Sequence, residues 1–415
     1  MTGSVGPKVT IDVLMQRALE VPGLLSLAAG FTDNDLLPRK EVCSIVNDVL
    51  SSPAGSETLQ YANPPGRSGL RRALCDYITT AEQATGATPA ELEIKDVVIT
   101  NGSQQALYLA AQTLCQPGDV ILVEAPTYFV FLDLLTLLGV EAIAMPSRDD
   151  VLDPERLEGF FKDLKSQGRL ERVRAVYLIS YFSNPSGLSL DTERKRTLLA
   201  RLREFGVNVP ILEDAAYREM YFERPWPSPT LLNDETAEHP IVLMGTLTKT
   251  FATGLKVGYV IVRDERLRGA MLDAKRGQDF GTSNFAQAIV ENAIVNGVYA
   301  TFLTKMRTHY RDKCRILHDA LTDHGLKELG WSWTQSEGGL YLWLTAPDGL
   351  RTTADSDFFN ACIEEKVLYV PGNLCYVEGG TDKVRLSFGY LPTIDLSEAA
   401  ARFVQAARKL RGTGG

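Results

Sequence analysis

The stretch Ile241-Val242-Leu243-Met244-Gly245-Thr246-Leu247-Thr248-Lys249-Thr250-Phe251-Ala252-Thr253-Gly254-Leu255-Lys256-Val257-Gly258 puts a lysine in a hydroxyl-rich turn directly after an apolar run. Residues 241–244 read as a short buried strand, since an unbroken apolar run suits a sheet covered on both faces. Hydroxyls stand three residues and one residue before Lys249, and a second cation, Lys256, stands seven residues after it. A primary amine forms a Schiff base with an aldehyde, and hydroxyls with a cation hold phosphate oxygens. The set suits a covalently held aldehyde that carries a phosphate. A nucleotide P-loop also has Lys followed by Thr, but needs glycines where this chain has Thr248 and Leu243. Without further support the same residues read as a surface lysine in a threonine-rich turn.

Outward from this turn the chain alternates. Between about Asp96 and Arg263, strand candidates fall at 97–100, 120–123, 141–144, 175–180, 209–213, 241–246 and 257–262. Helical patterns lie between several of them. Leu107, Ala110, Ala111 and Leu114 repeat at helical spacing until Gln116-Pro117-Gly118 stops them, and 193–205 reads as a charged amphipathic helix. Such alternation predicts an α/β fold: a large domain with a mostly parallel seven-stranded sheet covered by helices. Beyond Asn284, 285–321 is nearly continuous helical pattern. Strand candidates at 331–334, 340–344, 367–370 and 384–388 follow, then a closing helix at about 396–410 and a Gly-Thr-Gly-Gly end. The N-terminal 45 residues lack strong periodicity and read as an arm. The expected division is 1–45 as arm and part of the small domain, 46–295 as the large domain and 296–415 as the small domain. The smaller α+β domain is thus drawn from both termini.

Composition narrows the classes. With 45% hydrophobic and 23% charged residues over 415, the chain is an ordinary globular protein able to build a core without disulfides. Net charge is −9 and no Lys/Arg block stands out, which argues against a nucleic-acid surface. The six cysteines include no C-x-x-C pair and read as reduced thiols. Residues 1–10 carry no signal pattern. The apolar stretch 130–140 is too short to span a bilayer and contains Asp133. A cytoplasmic location is expected, with no membrane partner. Of the four histidines none has zincin spacing; Cys314 and His318, four apart, read as helix residues rather than a metal site.

Further motifs follow the predicted strands. Gly102-Ser103-Gln104-Gln105 opens a helix, where backbone N–H groups and a hydroxyl make an anion site or Ser103 is a plain N-cap. Tyr128, in Glu124-Ala125-Pro126-Thr127-Tyr128, is a ring that stacks on a flat cofactor or packs in the core. Asn184-Pro185-Ser186-Gly187 reads as a turn or as the donor of an amide N–H. Asp214-Ala215-Ala216-Tyr217 offers a carboxylate and a phenol, or a structural pair. Arg385, in Val384-Arg385-Leu386-Ser387-Phe388, is a cation inside an apolar strand and needs a partner. A substrate carboxylate or a buried ion pair would serve.

Together these segments resemble the class I/II pyridoxal-phosphate-dependent aminotransferases, fold type I, of the aspartate aminotransferase superfamily. The lysine turn is similar to that family's Ser-x-Ser-Lys-x-x-x-x-Gly-x-Arg-x-Gly. The Gly-Ser-Gln-Gln, Glu-x-Pro-Thr-Tyr, Asn-Pro-Ser-Gly, Asp-x-x-Tyr and Arg-Leu-Ser-Phe phrases match in order from about Leu27 to Tyr390. The resemblance implies that pyridoxal 5'-phosphate is the cofactor, held through Lys249. It implies that Asp214 keeps the pyridine nitrogen protonated, that Asn184 and Tyr217 face the phenolic oxygen, and that Tyr128 stacks on the ring. Gly102, Ser103, Gln104, Thr246, Thr248 and Lys256 would hold the phosphate, and Arg385 the substrate carboxylate. Gln60-Tyr61-Ala62-Asn63-Pro64-Pro65-Gly66 is similar to a family segment whose tyrosine reaches the neighbouring subunit's phosphate, and Ala28-Ala29-Gly30-Phe31 to a glycine segment near the substrate carboxylate. A homodimer with shared active sites follows as an expectation.

Thr246 and Thr248 replace serines and keep the hydroxyls, whereas Lys256 replaces an arginine and loses its planar fork. The resemblance implies ping-pong transfer of an amino group between an L-amino acid and a 2-oxo acid through a Lys249 Schiff base, with Lys249 moving the proton. The same constellation serves C–S β-lyases and cyclopropane-forming synthases (ACC-synthase-like). It also occurs in effector-sensing regulator domains, for which no N-terminal DNA-binding segment is visible, and in idle homologues. Arg17, Arg39 and Arg67 are candidates for a side-chain carboxylate, and Tyr177, Tyr181 and Phe182 belong either to a large apolar substrate pocket or to the core.

Overall fold

The computed structural model describes residues 21–234 and 238–411. The first part of the expected arm, Arg17 and the Gly-Thr-Gly-Gly end lie outside the described residues. The described residues divide into two compact units: one formed by those up to Asp35, by Asn184–Gly187 and by those from His309 onward, the other by those within Leu36–Ser183 and Leu188–Thr308.

The larger unit is built on seven strands: β1 (Val97–Asn101), β2 (Val120–Val123), β3 (Glu141–Ala144), β4 (Val173–Ile179), β5 (Ile211–Asp214), β6 (Ile241–Thr246) and β7 (Val257–Val262). Their order across the sheet is β1-β7-β6-β5-β4-β2-β3. All pair in parallel except β7, which is antiparallel to both β1 and β6. The central strands are apolar runs because both faces are covered; every residue of β2 and of β6 is buried. Helix α1 (Gly102–Leu114) packs Ala106, Leu107, Ala110 and Ala111 into a core with Ile121, Val123, Tyr177, Val242 and Met244. Just past its end, Gly118 takes a positive φ.

The smaller unit holds a four-stranded antiparallel sheet, ordered Ser332–Trp333, Tyr341–Thr345, Lys383–Ser387, Val370–Pro371. The 367–370 expectation proves to be two strands with different neighbours. Val367–Leu368 pairs in parallel with Leu25–Ser26, while Val370–Pro371 joins the four-stranded sheet. So the arm is tied down by a strand pairing that its sequence does not announce. The continuous helix expected over 285–321 is broken. Asn284–Val295 ends where the N–H of Gly297, at φ 74°, bonds to the Ile294 carbonyl, and Val298–Asp323 begins directly after. The closing helix is Thr393–Arg411. Among the described residues no helix is long and apolar enough to cross a membrane.

Candidate active site

Six strands of the large sheet run the same way, so β1, β2, β4, β5 and β6 deliver their carboxyl ends to one edge. Antiparallel β7 begins there, with Val257 opposite Asn101 and Gly258 opposite Thr246. Ligands of open α/β sheets bind at this edge. The segments that leave or enter it carry Gly102, Ser103, Gln104, Tyr128, Asp214, Tyr217, Thr246, Thr248, Lys249 and Lys256.

The start of α1 is the tightest part. Gly102 has φ +67°, and a Cβ there would stand 3.4 Å from Thr248 Oγ1 and 3.9 Å from both Thr246 Oγ1 and the Lys256 carbonyl. A Cβ on Gly258 would lie 2.5 Å from the Gly102 carbonyl carbon and 2.8 Å from the Ser103 nitrogen, so only glycine lets β7 pass the helix start. Ser103 is inside the helix, not its N-cap. The N-cap is Asn101, whose side chain does not cap. Its Nδ2 donates to Asp279 at 2.9 Å and its N–H to Gln105 Oε1 at 2.8 Å, while Lys275 Nζ holds Asp279 at 2.7 Å. A residue type suited to capping is thereby turned away from the first helical N–H groups. Thr248 Oγ1, beside Gly102, is buried and has no hydrogen-bond partner. An uncapped helix start, a glycine cradle and an orphaned hydroxyl fit a phosphate group. Gly258→Ala is expected to lower stability by about 1–3 kcal/mol through overpacking and to weaken cofactor binding. Thermal unfolding and equilibrium dialysis of pyridoxal phosphate check this.

Asp214 closes β5 and is buried. Its Oδ1 accepts from the Ala216 N–H at 2.8 Å and its Oδ2 from the Tyr177 hydroxyl at 2.9 Å. Burial pushes its pKa up to about 6 against the pull of those two bonds. The adjacent Glu213 projects to the opposite face, as alternation along a strand requires, and bonds to Lys195 at 2.9 Å, both fully buried. Tyr217 is buried one turn beyond Asp214. Tyr128 is half-buried against the sheet core.

The smaller unit gathers Gly30, Asn184 and Arg385. Arg385 is 1% exposed. Its Nη1 donates to Asn184 Oδ1 and its Nη2 to the Ala28 carbonyl, each at 2.7 Å. Both acceptors are neutral, and they orient the guanidinium. Tyr341 lies against its face, with the ring centroid 4.3 Å from Cζ. The Tyr341 hydroxyl would meet a Cβ on Gly30 at 3.1 Å. The sequence motifs did not include Tyr341. The signal was available only through pairing: Trp343 faces Arg385, and Tyr341 is two residues away on the same side of the strand. Arg385→Lys keeps the charge but loses the fork. We expect KM for amino donor and oxo acid alike to rise about 10- to 100-fold, with kcat much less affected, in steady-state kinetics.

Other expected residues are placed as follows. Lys249 is half-buried in the turn after β6, while Lys256 is exposed with φ 55°. Tyr61 is 88% exposed and meets the half-exposed Phe280 edge-on at 6.3 Å. Arg39 is exposed. Arg67 pairs with Glu291 at 2.7 Å and bonds to Asn284. Tyr177, Tyr181 and Phe182 are core residues, each at most 2% exposed. His318 accepts from the Trp333 indole at 3.1 Å, and Cys314 is buried against the Ser336 carbonyl.

Comparison with known proteins agrees with this fold. The chain belongs to the aminotransferase class I and II family, whose profile matches residues 23–403. Pyridoxal phosphate is therefore its cofactor. A 2-aminoadipate transaminase from Thermus thermophilus is 31% identical over 94% of this chain and 91% of its own length. The crystal structure of a multiple substrate aminotransferase from Thermococcus profundus superposes with a TM-score of 0.86 at 27% identity, covering 100% of this chain and 96% of that one. An alpha-aminoadipate aminotransferase from Thermus thermophilus, complexed with N-(5'-phosphopyridoxyl)-L-leucine, gives 0.82 at 29% identity, covering 98% and 96%.

Proposed function

We propose that this protein is an aminotransferase that moves the amino group of an L-amino acid to a 2-oxo acid, with Lys249 as the attachment and proton-transfer residue. The observation that carries the reading is the meeting of Gly102, Thr246 and the orphaned Thr248 hydroxyl immediately before Lys249. When bound, pyridoxal phosphate supplies a protonated aromatic ring that accepts the electron pair released at the substrate Cα. In this reading the start of α1, Ser103, Gln104, Thr246, Thr248 and Lys256 would hold the phosphate, and Tyr128 would pack on the ring. Asp214, a buried carboxylate, would serve the ring nitrogen. Tyr217 and the Asn184 amide would donate to the phenolic oxygen; Asn184 Oδ1 accepts from Arg385, which leaves the amide NH2 as the donor. Arg385 fixes the substrate α-carboxylate near Gly30, and the Lys249 amine carries the proton away from Cα as base and returns it as acid.

The relatives' names include 2-aminoadipate and multiple substrates, which supports α-amino acids with extended side chains as donors. The exposed Tyr61–Phe280 pair is of the kind that interfaces cover, and we place it against a second copy of the chain in a homodimer. Six unpaired cysteines, five of them buried, fit a reducing compartment, and the cytoplasm is the location we propose. The test is a visible absorbance spectrum before and after adding amino acids. A band that fades with release of 2-oxo acid and no ammonia supports transfer. Ammonia release means a lyase, and a protein that gains no band with pyridoxal phosphate overturns the reading.

A further inference from the structure

The carboxylate of Asp214 is held by a side chain far away in sequence. Tyr177 lies near the end of β4, wholly buried, with its hydroxyl 2.9 Å from Asp214 Oδ2. Sheet register brings them together. Ile179 pairs with Asp214, and Tyr177, two residues earlier on the same strand, projects to the same face. The ring packs on Phe131 with centroids 4.3 Å apart, which stops the hydroxyl from swinging away. The hydroxyl's own pKa is pushed well above the usual phenol range by burial and by the Asp214 charge, so it remains a donor. Donors to a carboxylate favour its ionised form.

Among the described residues, Glu124 and Tyr128 act on Tyr177, and Lys195 acts on Glu124. Glu124 follows β2 and accepts from the Ile179 N–H. Burial pushes its pKa up to about 8, so at neutral pH it is mostly a neutral acid and adds little negative charge beside Asp214. Lys195 lowers the Glu124 value and is itself bonded to Glu213. Tyr128 acts on Tyr177 only weakly, after burial and Asp214.

We propose that Tyr177 is a positioning residue for amino transfer: its hydroxyl locks the Asp214 carboxylate in the orientation and charge with which it serves the cofactor's ring nitrogen. The proposal rests on the role given to Asp214 above. Tyr177→Phe removes one oxygen and keeps the ring. In the full-length, cofactor-free protein with 13C-labelled aspartate, the Asp214 carboxyl signal is the one missing from Asp214→Asn. Its titration midpoint is expected to move up by about one pH unit in Tyr177→Phe. In the holoenzyme, kcat should fall about tenfold while KM for the amino donor changes less than about twofold. An unmoved midpoint overturns the proposal, whether or not kcat falls, because a fall alone reports only structural damage. Should Tyr177→Phe not fold, 3,5-difluorotyrosine at 177 gives the opposite sign: a stronger donor moves the midpoint down, and no movement overturns the proposal. Near-normal turnover of Asp214→Asn would instead overturn the role of Asp214 itself.

Discussion

Lys249→Ala is expected to abolish covalent attachment of pyridoxal phosphate and to lower turnover by roughly four orders of magnitude. In the proposed function the residue combines two tasks, since the amine that would anchor the cofactor would also move the proton at Cα. Its turn is rigid. The Leu247 N–H bonds to the Val257 carbonyl at 2.9 Å, the Phe251 N–H to the Leu247 carbonyl at 3.0 Å, and the Thr250 and Tyr299 hydroxyls are hydrogen-bonded to each other at 2.8 Å. These bonds run through the backbone and through Thr250, so they remain in the variant, which should fold. Borohydride reduction followed by peptide mass spectrometry reads the attachment site. A labelled peptide in Lys249→Ala would transfer the role to Lys256, the second amine of the motif.

Asp214→Ala is expected to lower kcat about 10²- to 10³-fold while the cofactor still binds. The carboxylate is buried, so in the proposed role it would oppose positive charge on the ring nitrogen with little solvent screening. Its pKa in the cofactor-free protein, pushed up to about 6 by burial, sets a pH dependence. Above that value Asp214 is ionised and attracts a cationic ring; below it the carboxyl is neutral and the attraction is lost. A cationic partner favours the ionised form and lowers the pKa on binding. Affinity for pyridoxal phosphate should therefore weaken as pH falls through 6 in the parent protein, and Asp214→Ala should lose that dependence. Fluorescence titrations of the cofactor at pH 5, 6, 7 and 8 measure it; an unchanged slope in the variant would remove Asp214 from the ring nitrogen.

The seven strands of the large sheet were legible because each is a short, mostly apolar run between turn formers, as burial on both faces demands of the central ones; β3, at the edge, is only partly buried. The lysine turn, the Asp-x-x-Tyr spacing and the helix opening at Gly102 were legible because each is confined to a few consecutive residues whose chemistry is local. The break at Gly297 was missed because apolar periodicity continues across it, and one glycine in a left-handed conformation suffices to end a helix. The N-terminal arm gave no signal because Leu25–Ser26 forms a strand only by pairing with Val367–Leu368.

By itself, then, the sequence determined the α/β layout, the order of the motifs and the groups proposed for the chemistry, all of them properties of neighbouring residues. Only the tertiary structure decided which groups act on one another. Tyr177 reaches Asp214 because parallel register sets Ile179 beside it, and Arg385 lies on Tyr341 because Trp343 is its cross-strand partner. Gly258 must be glycine because β7 passes the backbone of α1 at van der Waals distance. Such relations depend on strand register and on which faces meet. The free energy that fixes them comes from burying whole sheets and helices together, not from any local run of the chain.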